Sequence, residues 1–217
     1  MKYSNVTKGI FIERPNRFIA KVNIDGNIET VHVKNTGRCK ELLIPGVEVI
    51  LEISDNPARK TKYDLIAVYK DGLGLINIDS QAPNKVVYDW LMQKDFDLVK
   101  PEYTYGNSRF DFYMEKGSDR YLTEVKGCTL EIDCIGYFPD APTLRGVKHL
   151  RELTEAARAG YRCSVAFVIQ MPGISEVRAN VDTHPEFGVA LEEARSAGIE
   201  ILMLQCNITE DSLEISD

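Results

Sequence analysis

The chain has 217 residues, of which 44% are hydrophobic and 27% charged, as in soluble globular proteins with a substantial core. No apolar run approaches the roughly 20 residues that span a bilayer, which argues against a membrane protein or a membrane partner. The five cysteines include no C-x-x-C pair, which argues against a structural zinc site. We therefore expect a cytoplasmic protein with reduced thiols.

The net charge of −7 is distributed unevenly along the chain. Residues 1–70 hold 12 Lys and Arg against 8 Asp and Glu, a net charge of +4. Residues 71–217 hold 14 against 25, a net charge of −11. A basic first third in an acidic protein indicates a local surface for a polyanion such as nucleic acid.

The first 78 or so residues have the pattern of short β-strands. Strands are predicted at 9–13, 17–24, 28–33, 47–53 and 63–69. The segment DGN (25–27) predicts a tight hairpin between the second and third strands, and GRCKELL (37–43) predicts one or two helical turns. Five strands with a small helix midway favour a closed barrel of the OB type, a frequent nucleic-acid binder, although an unrelated small barrel has the same pattern.

From about residue 79 the pattern changes to mixed helices and strands. The predicted order is α-β-β-β-α-β-α-β, in segments at 84–93, 100–105, 109–114, 121–130, 144–159, 163–171, from 185 and at 199–204. The continuous apolar run CSVAFVIQM (163–171) is typical of a strand that is buried on both faces. This order indicates an α/β domain with a mixed sheet and flanking helices. We therefore predict two domains, residues 1–78 and 79–217.

The predicted hairpin FDFYMEKGSDRYLTEVKG (110–127) carries charged side chains inside its two strands. If the turn lies at its Gly-Ser pair, opposed residues have numbers that sum to 235. Asp111 then lies opposite Glu124, and Arg109 lies opposite Lys126. Directly opposed residues have Cβ atoms about 5 Å apart, and two like charges at that distance destabilise a sheet.

A divalent cation would remove the repulsion between the two carboxylates. Mg²⁺ is usually held by one or two carboxylates, together with water and phosphate oxygens. A neighbouring lysine can orient water or stabilise the pentavalent phosphate, so the pattern indicates phosphodiester hydrolysis with Mg²⁺ or Mn²⁺ at Asp111, Glu124 and Lys126. The alternative is a hairpin laced with surface ion pairs, in which Arg109 and Lys126 only neutralise the two acids.

Several segments between residues 12 and 153 carry a resemblance to a known family. They are IERPNRFIAKV (12–22), VHVKNTGRCKELLIPG (31–46), RKTKYDL (59–65), PNKVVYDWL (83–91), EYTYGNSRFDF (102–112), YLTEVKGCTL (121–130) and FPDAPTLRGVKHLREL (138–153). With them the chain resembles the sugar fermentation stimulation protein A family, and its second half resembles the PD-(D/E)xK nuclease core. The resemblance implies an OB-like domain, a nuclease-like domain and DNA binding.

The resemblance also implies roles for individual residues. Asp111 and Glu124 match the metal ligands, and Lys126 matches the catalytic lysine. An acid from the first helix often completes such a site, a place that Asp89 occupies, and Glu102 on the first strand is the competing candidate. The chain departs from the family pattern in two places: it has Gly where many relatives have Ser after the lysine, at 127, and Cys where Met is usual, at 39.

Basic residues in two regions are candidate DNA contacts. Those in or beside the barrel loops are Arg14, Arg17, Arg38, Lys40, Arg59, Lys60 and Lys62. Those of the second domain are Arg109, Arg145, Lys148 and His149. Such residues contact the phosphate backbone and give affinity without sequence specificity. The alternative for the cations near residue 148 is a solvated helix face balanced by neighbouring glutamates.

The leading hypothesis from sequence is a DNA-binding protein with a Mg²⁺- or Mn²⁺-dependent nuclease site. The second is a non-catalytic DNA-binding regulator of sugar-metabolism genes, since a nuclease fold can persist as a binding module. A third is an enzyme that acts on RNA. The sequence leaves open whether the DNA is single- or double-stranded and whether the protein forms a homodimer.

Overall fold

The amino-terminal part of the chain forms a β-barrel. The structure, a computed structural model, describes residues 1–35 and 37–216. The barrel strands are β1 (Val6–Glu13), β2 (Ile19–Ile24), β3 (Asn27–Val33), β4 (Glu48–Ile53) and β5 (Tyr63–Lys70), and β6 (Gly74–Asn77) extends the sheet. The strand order is β3-β2-β1-β4-β5-β6, and a parallel pairing of β3 with β5 closes the barrel. The predicted five-stranded OB barrel is confirmed.

The barrel interior follows from the alternation of side chains along its strands. Val22, Val31, Leu51 and Leu65 point inward and have no exposed surface. The predicted helical segment at 37–43 makes one hydrogen-bonded turn, in which the backbone amide of Leu43 donates to the carbonyl of Cys39 at 2.9 Å. The segment does not continue as a helix, and Leu43 is buried in the core of the barrel.

The second part of the chain is a mixed sheet with three helices. Its main elements are α1 (Ala82–Leu91), β7 (Leu98–Tyr105), β8 (Ser108–Lys116), β9 (Asp119–Cys128), β10 (Leu130–Ile132), β11 (Ile135–Phe138), α2 (Leu144–Arg158), β12 (Arg162–Ile169), β13 (Val177–Ala179), α3 (Pro185–Ser196), β14 (Glu200–Ile208) and β15 (Leu213–Ile215). The large sheet has the order β15-β14-β12-β9-β8-β7, and β12 runs parallel to both of its neighbours. The predicted mixed sheet with flanking helices is confirmed, and β10, β11, β13 and β15 are additional short strands.

Helices cover both faces of the large sheet. Val86 and Val87 of α1 pack with Phe112 and other buried residues on one face. Leu150 of α2 and Phe187 of α3 pack on the other face. Strand β12 is buried on both sides, as its continuous apolar sequence predicts. In the part of the chain that the structure describes, no helix is long and apolar enough to cross a membrane.

A buried polar cluster joins the barrel to the second domain. Asp79 has no exposed surface. Its carboxylate forms an ion pair with the ammonium of Lys34 at 2.9 Å and accepts a hydrogen bond from the hydroxyl of Tyr3 at 3.2 Å. The amide of Gln170, at the end of β12, donates to the side-chain oxygen of Asn77 at 3.0 Å. These buried groups are hydrogen-bonded to one another, so the two parts of the chain are held together by specific contacts.

Candidate functional site

Strands β8 and β9 pair in the register that the sequence predicts. Opposed pairs run from Lys116 with Asp119 to Phe112 with Thr123, and each pair of numbers sums to 235. The ladder ends there, where β8 leaves β9. Asp111 and Glu124 are the next residues along the two strands, so both carboxylates lie at the point where the strands separate.

The carboxylate of Asp111 is held by two hydrogen bonds from different elements. The backbone amide of Val125 donates to Oδ2 at 2.7 Å, in place of the ladder bond that β8 no longer makes. The side-chain amide of Asn84, from α1, donates to Oδ1 at 2.7 Å. Burial raises the pKa of Asp111, and the charge of Glu124 raises it further despite these hydrogen bonds. Asp111 is therefore a carboxylate in an unfavourable electrostatic environment.

The carboxylate of Glu124 is buried, and its two oxygens differ in their contacts. Oε1 lies 2.5 Å from Nζ of Lys126 and 2.5 Å from Nδ1 of His149, which belongs to α2. Oε2 is buried and has no hydrogen-bond partner among the described residues. Burial raises the pKa of Glu124, but the contacts with His149 and Lys126 outweigh it, so the net shift is downward. An ionised, buried oxygen without a donor is costly unless a cation satisfies it.

Glycine at position 127 allows β9 to pass close to α1. A Cβ atom on Gly127 would lie 2.5 Å from Oε1 of Gln170 and 2.8 Å from Cγ of Pro83. This residue directly follows Lys126, so the same close approach fixes the backbone that carries the lysine. Gly at this position, where many relatives have Ser, therefore avoids a close contact of a Cβ atom with Gln170 and Pro83 in this chain.

A cleft of about 420 Å³ opens beside Asp111, and both candidate third acids line it. The carboxylate of Asp89 lies 3.3 Å from the amino terminus of Met1, which neutralises it. The carboxylate of Glu102 lies 3.5 Å from Nη1 of Arg109, and both of these side chains are exposed. Neither acid is hydrogen-bonded to Asp111, and the residue of α1 that reaches Asp111 is Asn84.

Glu102 faces the site from the neighbouring strand. The residues on either side of Glu102 pair with the residues on either side of Asp111, so the two acids are opposed across β7 and β8. The φ angle of Glu102 is 55°, in the left-handed region that L residues rarely adopt. Backbone strain of this kind occurs preferentially at functional sites.

The site is a pair of acids rather than a complete metal cluster. In residues 1–35 and 37–216, no group of three or more His, Cys, Asp and Glu side chains is arranged to hold a metal ion. Mg²⁺ does not require such a cluster, because one or two carboxylates with water and phosphate oxygens suffice. The repulsion between Asp111 and Glu124 and the unpartnered Oε2 fit a hard divalent cation.

Two residues predicted to contact DNA bind groups of the barrel itself through the terminal nitrogens of their guanidinium groups. The guanidinium of Arg14 donates to the carbonyls of Arg17, Asn35, Gly37 and Arg38 at 2.7–2.9 Å, so it holds two loops together. In the same way, the guanidinium of Arg59 makes two hydrogen bonds to the buried Asp64, at 2.7 and 2.6 Å.

The other predicted barrel cations are exposed. They are Arg17, Arg38, Lys40, Lys60 and Lys62. Arg17, Arg38 and Lys40 line a cavity of about 300 Å³ between the two loops. The charges of these side chains therefore lie at the surface of the barrel.

Of the predicted cations near the carboxylates, His149 differs from the rest. Arg109, Arg145 and Lys148 are exposed, and Nζ of Lys148 donates to the carbonyl of Asn107 at 2.8 Å. His149 is only 5% exposed, and its imidazole faces Glu124. Its predicted contact with DNA therefore gives way to a contact inside the protein, because α2 turns this residue towards the sheet.

Comparison with known proteins places both parts of the chain in one family. Residues 81–212 match the family described as "Sugar fermentation stimulation protein RE domain", where RE denotes a restriction endonuclease-like fold. Residues 12–78 match "SfsA N-terminal OB domain".

Relatives match over nearly their full length. A sugar fermentation stimulation protein homolog of Desulfitobacterium hafniense strain Y51 is 56% identical, over 100% of this chain and 96% of the relative. A homolog of Clostridium beijerinckii is 55% identical, over 100% and 97%. The solved structure of Pyrococcus furiosus SfsA in complex with Ca²⁺ is 28% identical, covers 99% of this chain and 95% of the other, and superposes with a TM-score of 0.86.

Proposed function

Because the chain belongs to the sugar fermentation stimulation protein family, we propose that it is a cytoplasmic deoxyribonuclease with a divalent-metal site. In this proposal residues 1–78 are a nucleic-acid-binding barrel, and residues 79–217 hydrolyse phosphodiester bonds. The observation that carries the proposal is the buried Oε2 of Glu124, which lacks a donor among the described residues and belongs to a carboxylate whose charge acts on Asp111.

Mg²⁺ or Mn²⁺ would be held by Asp111 and by Oε2 of Glu124. The Ca²⁺ complex of the Pyrococcus furiosus relative supports a divalent cation in this fold. Glu102 is the better candidate for a third acid, because it opposes Asp111 in the sheet while Asp89 is paired with the amino terminus. When bound, the cation would neutralise charge on the scissile phosphate and lower the pKa of a coordinated water.

The chain's own residues orient the substrate and stabilise developing charge. Asn84 and the backbone amide of Val125 fix the direction of the Asp111 carboxylate. Lys126 holds its ammonium beside the carboxylate pair, with its side chain 13% exposed. From there it can donate a hydrogen bond to a phosphate oxygen and stabilise the pentavalent transition state.

The exposed cations would bind the DNA backbone on either side of the site. The set comprises Arg17, Arg38, Lys40, Lys60 and Lys62 on the barrel, and Arg109, Arg145 and Lys148 near the carboxylates. Contacts of this kind release counterions, so affinity for DNA should fall steeply with salt and depend little on sequence.

The proposal is tested by incubating the protein with single-stranded, double-stranded and branched DNA, and with RNA, in Mg²⁺ or Mn²⁺. We expect cleavage of at least one DNA substrate and a loss of about 100-fold or more in the Lys126→Met variant, with DNA binding retained. Lys116→Met is the matched control, because it removes an exposed ammonium from the same hairpin. Absence of cleavage across the whole panel, or equal cleavage by Lys126→Met, would reject the catalytic role.

A second candidate is a DNA-binding regulator of sugar-metabolism genes that does not cleave its target. The observation that favours it is the name of the relatives, "Sugar fermentation stimulation protein homolog". It predicts binding without turnover and a preference for particular promoters. Calorimetry with Mn²⁺ separates the two proposals. A nuclease site should give saturable heat of Mn²⁺ binding that disappears in Asp111→Asn, whereas a regulator with vestigial acids should give none.

A further inference from the structure

The two oxygens of Glu124 differ in their contacts. Oε1 contacts Lys126 and His149, both at 2.5 Å. Oε2 is buried and unpartnered in the part of the chain that the structure describes. A carboxylate free to rotate would exchange its oxygens, so something must hold Oε1 in place for Oε2 to face the site.

The imidazole of His149 has a defined orientation. Nε of Arg145 donates to Nε2 of His149 at 3.3 Å, which makes Nε2 an acceptor. The ring proton of a neutral imidazole is then on Nδ1, which faces Oε1 of Glu124. Phe110 packs edge-on against the ring, with centroids 6.0 Å apart. Arg145 and Phe110 thus fix both the proton and the plane of the ring.

We infer that His149 is the positioning residue of the metal site. It binds Oε1 of Glu124 and thereby reserves Oε2 for the divalent cation, an inference that rests on the function proposed above. Metal-binding carboxylates commonly depend on such supporting hydrogen bonds.

Lys126 is poorly suited to this task. It also contacts Oε1, but its ammonium stands on a flexible four-carbon side chain and is the group expected to turn towards a bound phosphate. When it does so, His149 continues to hold Oε1. His149 is buried on α2, so its position does not depend on the substrate.

The inference is tested by calorimetry of Mn²⁺ binding to the full chain and its variants. His149→Leu removes the donor and should weaken Mn²⁺ binding by about 10–100-fold. His149→Asn places an amide near the position of Nδ1 and should restore affinity to within a few-fold of wild type. Thr154→Val is the matched control: this buried hydroxyl on α2 bonds its own helix, and its loss should leave Mn²⁺ affinity unchanged.

Each outcome of this experiment is informative. If folded His149→Leu binds Mn²⁺ as tightly as wild type, His149 has no positioning role and the inference is overturned, although the metal site stands. If wild type itself shows no saturable Mn²⁺ binding, the proposed function fails first. If His149→Leu does not fold, His149→Gln is compared with His149→Asn instead. The longer side chain of Gln places its amide near the position of Nε2 rather than Nδ1. Equal affinity of the Asn and Gln variants would then overturn the inference.

Discussion

Replacing Asp111 with Asn should stabilise the metal-free protein while abolishing its metal binding. Burial and the nearby charge of Glu124 raise the pKa of Asp111, so the ionised carboxylate is disfavoured in the folded state. Asn has nearly the same shape and can keep both hydrogen bonds. Its oxygen can accept from Val125, and its amide can donate to Asn84 once that side-chain amide turns over.

The expected gain is modest and reverses when metal is added. Asp111 and Glu124 lie just beyond the end of the β8–β9 ladder, and the charge of Glu124 acts on Asp111. Like charges directly opposed in a sheet cost about 0.2–1 kcal/mol, so the Asp111→Asn variant should gain up to about 1 kcal/mol in metal-free buffer. For a protein of this size, that corresponds to a rise in Tm of up to about 4 °C. At Mn²⁺ concentrations of about 100 times its Kd, wild type gains about 2.7 kcal/mol and the variant gains nothing, so their order inverts.

The assay is thermal unfolding of both proteins at pH 7, in EDTA and in saturating Mn²⁺. Asp95→Asn is the control for net charge, because this carboxylate is 96% exposed and pairs with Lys116 at the surface. Folding raises the pKa of Asp111 above its usual 3.8. The neutral, protonated carboxyl therefore does not destabilise the folded state below pH 3.8, and the destabilisation by the ionised carboxylate appears as the pH rises through the raised pKa. The advantage of the variant should therefore vanish in acid. A Tm below wild type in EDTA at pH 7 would refute the reasoning.

Three further predictions concern residues outside the carboxylate pair. Arg14→Gln should lower the free energy of unfolding by about 2–3 kcal/mol, since it loses four hydrogen bonds to carbonyls. Arg17→Gln should leave the free energy of unfolding unchanged and reduce the slope of the logarithm of DNA affinity against the logarithm of salt concentration by about 1. Burial raises the pKa of Asp64, but the hydrogen bonds from Arg59 outweigh it and the net shift is downward. Asp64→Asn should therefore be less stable than wild type at pH 7 in urea unfolding, with a difference that begins to shrink near pH 3.8 and is lost as the pH falls through the lowered pKa. Gly127→Ala should lose about 1–3 kcal/mol in the same assay, because its Cβ would lie 2.5 Å from a buried glutamine.

Each of these predictions has a result that contradicts it. Equal stability of Arg14→Gln and wild type would mean that water replaces the lost contacts without cost. A stability difference for Asp64→Asn that does not shrink at all as the pH is lowered through the acid range below 3.8 would remove the ion pair as its cause. An unchanged Gly127→Ala would show that Gln170 and the start of α1 yield easily to a larger side chain.

The hairpin and its register were accessible from sequence because they depend on local alternation. Apolar side chains on both strands of 110–127 and one Gly-containing turn define the pairing that the structure has. The ladder ends one pair before the two acids, so the predicted pairing of Asp111 with Glu124 and of Arg109 with Lys126 is not part of it. Arg109 pairs instead with Thr104 of β7. The hairpin of β2 and β3 in the barrel was predictable for the same reason, since side chains alternate along both strands and a tight turn joins them.

The contacts from the helices were not predictable with the same reliability. Which side of α1 faces the site depends on how Val86 and Val87 pack on the sheet, and that packing brings Asn84 rather than Asp89 to Asp111. A short polar residue in the first turn of a helix was the available signal. On α2, the sequence grouped His149 with the basic residues beside it as a DNA contact, although the packing of the helix buries His149.

Two other features had no local signal. Arg14 reads as a surface cation in the sequence, and the three-dimensional approach of Asn35, Gly37 and Arg38 to its loop supplies three of the four carbonyls that it binds. The hairpin of β10 and β11 turns at Asp133 and Cys134, both of which have positive φ angles, of 52° and 62°. Such turns usually carry Gly or Asn, so the composition did not reveal this one.

The central claim is that Asp111 and Glu124 jointly hold a divalent cation. It is tested most directly by an anomalous difference map from crystals of the protein soaked in Mn²⁺. We expect one strong peak bonded to the Asp111 carboxylate and to Oε2 of Glu124, with Oε1 still in contact with His149. A map with no peak between the two carboxylates, or with a peak elsewhere and these side chains unmoved, would contradict it.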